Sequence, residues 1–297
     1  TDPGNDPAPR PPDTHFNDSL RSPQQRLNLG NYVTAAPGEL RDRRHFEKPR
    51  TTVGWKGLIN DPGLDGSFQV ERGLRTARAL LLDIIELGLP VGCEFLEPTS
   101  PQYIAGAVAW GAIGARTTAS QVHRQLASGL SMPIGFKNGT NGDIQVAIDG
   151  VAAAATPHHF FGVDSFGRAA VVETSGNPDC HVILRGGSTG PSYDAASVTA
   201  AVGRLRKAGL PEQVMIDCSH ANSGKDHIRQ AAVAAEVCAR IAAGEPAISG
   251  LMLESFLVAG AQSVSGGELV YGQSVTDQCM DFSTTANLLA SLYAAKG

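Results

Sequence analysis

Cysteine is scarce in this sequence: five residues in 297, widely scattered, with no CxxC pair. That scarcity excludes a disulfide framework or a zinc ribbon and points to a reducing compartment, the cytoplasm. Long apolar runs are missing too. Stretches such as residues 104–115 break off within about a dozen positions, far short of the roughly 20 that a bilayer span requires, so no membrane association is expected. The first twelve residues are rich in Pro and Asp and lack the charged-then-apolar order of a secretory signal. Positive charge is in deficit, with 24 Lys+Arg against 29 Asp+Glu and a net charge of −5, which argues against a nucleic-acid partner. Neither GxGxxG nor GxxxxGK[ST] occurs, so those nucleotide-binding loops have no support.

What is present reads as a soluble α/β protein. Hydrophobic residues make up 42% and charged residues 18%, ordinary values for a globular chain. The length fits two domains of about 150 residues or one α/β barrel of about 250. Residues 1–45 stand apart as an atypical segment. Seven of the 18 prolines fall within the first 46 residues, and no apolar period of 2 or 3.6 is sustained there. Roughly Thr1–Leu40 is therefore expected to be poorly ordered, with residues 46–297 forming the folded domain.

From about Gly66 the pattern becomes regular. Helical spacing covers Phe68–Leu87, Gln102–Trp110, Ser120–Leu130, Ile144–Ala155, Ala195–Ala208, Gln230–Ala243 and Thr284–Ala295. Strands are expected at Pro90–Leu96, Gly111–Arg116, Pro133–Lys137, Val182–Leu184, Val214–Cys218 and Ile248–Leu253, with a hairpin at Phe160–Val163 and Ala169–Glu173. Strands alternating with helices imply βαβ units and a parallel sheet. Polar residues recur at the strand ends: Glu94, Arg116, Lys137, Arg185, His220 and Glu254. In a (β/α)8 TIM barrel that end carries the active site, and this is the fold expected.

Lys48, Arg50, Lys56, Arg116, Lys137 and Arg185 include several cations set in otherwise uncharged runs, such as GAIGARTT, PIGFKNGT and VILRGG. Each alone reads as a surface charge. Converging on one rim they make a pocket for small phosphorylated anions, since Arg gives planar bidentate donors and Lys a point charge. His220, Glu254 and Asp277 combine an imidazole with two carboxylates, a set suited to Mn, Fe or Zn. Hydrogen-bonded strand ends are the competing reading. His158-His159 reads as a loop pair ahead of the hairpin, the five cysteines as small buried residues, and Gly186-Gly187 as a turn or a phosphate-approaching loop.

Glu47-Lys-Pro-Arg-Thr-Thr-Val-Gly-Trp-Lys-Gly57, Gly114-Ala-Arg-Thr-Thr118, Gly135-Phe-Lys-Asn-Gly-Thr140, Ile183-Leu-Arg-Gly-Gly187 and Asp217-Cys-Ser-His-Ala-Asn222 occur in order along the chain. In these motifs the sequence resembles the type I 3-deoxy-D-arabino-heptulosonate 7-phosphate (DAHP) synthases, from about Phe46 to the C-terminus. The resemblance implies a barrel enzyme that condenses phosphoenolpyruvate (PEP) with erythrose 4-phosphate at the head of the shikimate pathway. It implies that Arg116, Lys137 and Arg185, with Ala115 in the same motif, hold the PEP phosphate and carboxylate, with Glu94 beside that phosphate. Lys48 matches the lysine near the aldehyde, Arg50 and Thr51 match the clamp on the second phosphate, and Arg43 falls where the family has another arginine for PEP. His220, which the resemblance also makes catalytic, matches with Glu254 and Asp277 three of four ligands to a divalent metal (Mn, Fe, Co or Zn). A homo-oligomer is implied as well, and Gly162 in Phe160-Phe-Gly-Val163 matches the tyrosine-sensitive type, in which tyrosine is the inhibitor.

One departure stands out. The family's fourth metal ligand is a cysteine in a Gly-Pro-Cys-Ser motif on the first barrel strand, and that motif is missing here. The first strand-helix unit is missing with it, which leaves an open barrel with two raw sheet edges. Cys93 neighbours Glu94 on a strand and should face away from the pocket. Either residues 1–45 supply a substitute, or a partner does, or the N-terminus is altered or misread, the reading that its Pro- and Arg-rich composition favours. Two rivals follow: a non-catalytic PEP-binding regulatory paralogue, and an octulosonate synthase that takes arabinose 5-phosphate. Lys48-Pro-Arg-Thr-Thr is the DAHP-type form of the clamp and speaks against the second.

Overall fold

In the computed structural model, residues 31–36, 39–44, 46–164, 166–264 and 267–294 are described. In chain order the elements are β1 (Asn31–Ala36), β2 (Glu39–Arg44), α1 (Val70–Glu86), β3 (Val91–Glu94), α2 (Pro101–Ile104), a 3-10 turn (Ala105–Ala107) and β4 (Trp110–Ile113). There follow α3 (Gln121–Ser128), β5 (Ile134–Lys137), α4 (Gln145–Ala154), β6 (His158–Val163), β7 (Ala169–Thr174), β8 (His181–Leu184), α5 (Ala195–Lys207) and β9 (Val214–Asp217). The last are α6 (His220–Ser223), α7 (His227–Ala242), β10 (Ile248–Ser255), β11 (Val258–Ala261), β12 (Gln273–Ser274) and α8 (Phe282–Ala294).

The main sheet closes on itself in the order β1-β10-β9-β8-β5-β4-β3-β2. From β2 round to β10 the neighbours run parallel, as βαβ connections require. The expected α/β barrel is thus the observed architecture. β1 is the exception, since it runs antiparallel to both β2 and β10, with Tyr32 opposite Glu254. Residues 31–36 and 39–44, where little order was expected, therefore carry two strands, and these bridge the edges that the remaining six-stranded sheet would expose. The physical reason is tertiary. Charges in ELRDRR hide any alternation, but unpaired backbone along β3 and β10 rewards pairing.

β3, β4, β5 and β9 are buried at every position, the signature of parallel strands covered on both faces. Trp110, Ala112, Ile183, Met215 and Met252 fill the barrel interior. Gly135 makes room for them, because a Cβ there would lie 2.5 Å from Ile183 and 2.9 Å from Trp110. The larger core lies between the sheet and the helices. α1 shows why these segments fold as helices: Gly73, Thr76, Ala77, Leu81 and Ile84 recur at helical spacing and are the residues it buries. Asp194 and Asp226 start α5 and α7 by accepting hydrogen bonds from first-turn amides.

Two local expectations need correction. The helix expected over Gln102–Trp110 ends early: α2 closes as a 3-10 turn, Val108 is extended, and Trp110 opens β4. A short apolar stretch does not separate helix from strand by periodicity alone. His158-His159 is not a loop but the start of β6, where His159 pairs across the hairpin with Glu173 at 3.2 Å. All five cysteines are free and buried, and Cys93 lies in the outer core, facing away from the strand ends. No helix among the described residues is long and apolar enough to cross a membrane.

Candidate active site

The C-terminal strand ends surround a cleft of about 520 Å3. Lys48, Arg50, Arg116, Lys137, Arg185 and Lys225 line it, against the acids Glu94 and Asp277. Thr51, Ala115 and His220 line it as well, so the residues singled out at separate strand ends do meet. Two of the predicted cations do not join them there. Lys56 is exposed and lines a separate cavity beside Glu47. Arg43 lies in β2 opposite Gly92 of β3, with its side chain outside the described residues.

The deepest cations are held by acids or left open to a ligand. Lys137, buried at the end of β5, pairs with Asp217 at 3.0 Å. Burial alone would raise the Asp217 carboxyl, but the Lys137 charge, with His220 and the Ser219 hydrogen bond, outweighs it and holds the group well below the usual carboxylate range. Arg185 is also buried, and its Nε has no hydrogen-bond partner among the described residues. A buried guanidinium N–H without an acceptor is costly unless a ligand supplies one. At the mouth, Arg116 Nε donates to Thr51 Oγ1 at 3.0 Å, and Arg50 Nε donates to the Trp55 carbonyl at 2.7 Å. Behind them, a Cβ at Gly114 would come within 2.4 Å of Glu94 Oε1 and shift that carboxylate.

Beside the cations, His220, Glu254 and Asp277 bring one ligand atom each to within 4.8 Å of one another. Asp277 is not on a strand. It sits after β12, in a segment tied down by backbone bonds from Met280 to Glu254 and between Cys279 and Gly260. Burial lowers the His220 imidazole to about 4, so it is neutral at neutral pH. Its Nδ1 lies 2.9 Å from Asp217 and 2.8 Å from Ser219 Oγ, and Nε2 faces Glu254 at 3.7 Å. A ring anchored through Nδ1 presents Nε2 as a metal ligand. His220 also holds φ +49 without being glycine, a strained backbone of the kind that collects at functional sites. Burial and the Asp277 charge push the Glu254 carboxyl well above the usual range. A divalent cation among the three groups removes that repulsion, so the residues present fit a metal. Among the described residues, these three could supply ligands to such a cation.

Sequence reasoning passed over Lys225 and the role of Asp217. Lys225 reaches the cleft through a left-handed turn at Gly224-Lys225, and its Nζ lies 3.5 Å from Asp277. Asp217 was visible in its motif, but nothing in the sequence showed that it faces both Lys137 and His220.

The DAHP synthetase I family model matches residues 19–290. The chain belongs to that family. A phospho-2-dehydro-3-deoxyheptonate aldolase of Corynebacterium glutamicum is 62% identical over 291 residues, covering 93% of this chain and 79% of that protein. In Escherichia coli K12, a Phe-sensitive relative is 56% identical, over 92% of this chain and 80% of its own length. A Tyr-sensitive relative there is 50% identical, over 93% and 79%. The solved phospho-2-dehydro-3-deoxyheptonate aldolase of Francisella tularensis SCHU S4 superposes with a TM-score of 0.83 at 53% identity, over 85% of this chain and 74% of that one. The family, the enzyme class and the barrel expected from the sequence are borne out.

Proposed function

We propose that this member of the DAHP synthetase I family joins PEP to D-erythrose 4-phosphate and water, giving DAHP and inorganic phosphate, in an oligomer working in the cytoplasm. The observation that carries the reading is the ring of six cations, Lys48, Arg50, Arg116, Lys137, Arg185 and Lys225, around one cleft. Two phosphates and a carboxylate match that excess of positive charge. Arg185 and Lys137, deep in the cleft, with Arg116 above them, take the PEP phosphate and carboxylate. Arg50 and Thr51 take the phosphate of the sugar and place its aldehyde beside Lys48. His220, Glu254 and Asp277 would hold a divalent cation, which when bound supplies Lewis-acid polarisation of the aldehyde carbonyl.

The remaining chemistry is orientation and charge. With both phosphates fixed, C3 of PEP faces the aldehyde carbon, and positioning of this kind contributes much of the rate. The Lys48 ammonium stabilises the charge that grows on the aldehyde oxygen as the new carbon–carbon bond forms. Water adds at C2, and the resulting hemiketal phosphate releases inorganic phosphate to leave the 2-keto acid.

A second cavity, of about 900 Å3, lies between the β6–β7 hairpin and the segment around α2 and α3, with Pro98, Gln102, Leu126, Phe160, Gly162 and Val172 in its wall. Its size, its largely apolar wall and the glycine at 162 support binding of tyrosine there as a feedback inhibitor.

A coupled phosphate-release assay with PEP, erythrose 4-phosphate and Mn2+ tests the catalytic reading, with EDTA and arabinose 5-phosphate as controls. Release with erythrose 4-phosphate that EDTA abolishes is expected. No release above background would leave the PEP-binding paralogue as the better reading, and release with arabinose 5-phosphate alone would favour the octulosonate synthase. Gel filtration should give a species larger than a monomer, and a single peak near the chain mass of 31.0 kDa would contradict the oligomer.

A further inference from the structure

We infer that Glu47 and His123 are positioning residues that grip the Leu96 peptide from its two sides and so hold three walls of the cleft in register. Glu47 Oε2 accepts from the Leu96 amide at 3.0 Å and from Ser100 Oγ at 3.0 Å, and Oε1 accepts from the Glu97 amide at 3.3 Å. On the other side, His123 Nε2 lies 2.7 Å from the Leu96 carbonyl. A carbonyl only accepts, so Nε2 carries the hydrogen. Nδ1 lies 2.8 Å from the Ser120 hydroxyl. Glu47, Ser100 and His123 are all buried.

Each anchor belongs to a different wall. Glu47 precedes Lys48 on the arm that also bears Arg50 and Thr51. Leu96 follows Glu94 and the end of β3, and Ser120 ends the segment that begins at Gly114 and bears Arg116. Those three segments rise from neighbouring positions of the barrel, β2, β3 and β4, but strand pairing among them ends at Glu94, opposite Ala112. Beyond the sheet, the Leu96 peptide is where they are tied together, with the Arg116–Thr51 bond at the mouth. Lys137 and Arg185 stand on other strands, on β5 and just after β8, and the Arg116 segment is joined to β5 separately, where Thr118 Oγ1 donates to the Lys137 carbonyl at 2.7 Å. A buried carboxylate and a buried imidazole are expensive as packing alone, since apolar side chains of the same volume would fill the space without desolvation.

The inference rests on the cleft being the condensation site, and it predicts a division between the substrates. Loss of the grip leaves the β5 and β8 cations in place but lets the Lys48 arm drift against the Glu94 wall. With the Mn2+-loaded full chain, Glu47→Gln and His123→Ala should lower kcat by about 10- to 100-fold, the usual effect of a misplacement near 1 Å. They should also raise KM for erythrose 4-phosphate, while PEP affinity by calorimetry stays within about threefold. His123→Gln, which keeps a donor near the Nε2 position, should restore most of kcat. Hydrogen exchange should find the Leu96 and Glu97 amides protected in the wild type and faster in Glu47→Gln. Wild-type kcat in both variants, an equal loss of PEP affinity, His123→Gln no better than His123→Ala, or unchanged amide exchange in Glu47→Gln would each overturn the inference. A wild-type chain without synthase activity would remove the catalytic reading, yet amide exchange would still decide the grip.

Discussion

Asp217 Oδ2 lies 3.0 Å from Lys137 Nζ, and both side chains are sealed from solvent. The same oxygen faces His220 Nδ1 at 2.9 Å. One buried carboxylate thereby sets the cation expected to meet PEP and orients the imidazole expected to meet the metal. Removing one partner of a buried pair leaves the other uncompensated, at a cost of about 3–5 kcal/mol. Asp217→Asn should therefore lower the unfolding midpoint in urea markedly and abolish turnover. Adding Lys137→Met should recover much of the stability without the activity. Equal stability of Asp217→Asn and wild type would show that the pair is not held as described.

Arg185 and Arg116 should differ in what they contribute. Arg185 is buried with an open Nε, whereas Arg116 is exposed and already bonded to Thr51. A charge-assisted hydrogen bond contributes about 1.5–3 kcal/mol when desolvated, and less at an exposed site. Arg185→Ala should raise the PEP KM by one to two powers of ten, roughly, and Arg116→Ala by less. Steady-state kinetics on both variants checks this, and wild-type behaviour of both would remove the anion-pocket assignment.

The contrast shows what a sequence of this kind reveals. Glu94, Lys137 and Arg185 were legible because each closes a short apolar strand, and a barrel sends all such ends to one face. Whether Arg185 is buried with a spare donor depends on how its own loop turns, which periodicity does not encode. Lys225 shows the same limit, since only the left-handed turn at Gly224-Lys225 aims it back at Asp277. β1 and β2 were illegible for a different reason: their pairing answers a need of distant sheet edges, not a local pattern.

Glu47 offers a pH test. Burial raises its carboxyl from the ordinary 4.5 to about 7, against the lowering effect of the Leu96, Ser100 and Glu97 donors. A carboxyl raised in the folded state favours folding most below pH 4.5, and that contribution is lost as pH climbs through 7. The change is on the order of 3 kcal/mol. Glu47→Gln does not titrate, so its stability relative to wild type should improve steadily from pH 4.5 to 8. Urea melts across that range measure the difference. Parallel curves for the two proteins would mean that Glu47 is ionised without penalty and that the burial argument fails.

The proposed inhibition by tyrosine turns on Gly162, in the wall of the hairpin cavity. A Cβ at 162 would lie 2.7 Å from Val172 Cγ2 on the facing strand, so any side chain there must push Val172 aside or fill part of the cavity. On the proposed reading, the glycine keeps open space that a phenol oxygen needs and a phenyl ring does not. Tyrosine should inhibit more strongly than phenylalanine or tryptophan, and Gly162→Ser should weaken or reverse that order. Because the serine also crowds Val172, Gly162→Ser combined with Val172→Ala separates the two effects. If the hydroxyl sets the preference, the double variant stays insensitive to tyrosine; if crowding does, sensitivity returns. A bulge-like role for the glycine in strand geometry would instead leave the inhibitor order of Gly162→Ser unchanged while loosening the hairpin. Initial rates with each of the three amino acids, on wild type and both variants, decide among these outcomes. Equal inhibition by all three, or by none, would remove tyrosine as the ligand of this cavity while leaving the catalytic cleft untouched.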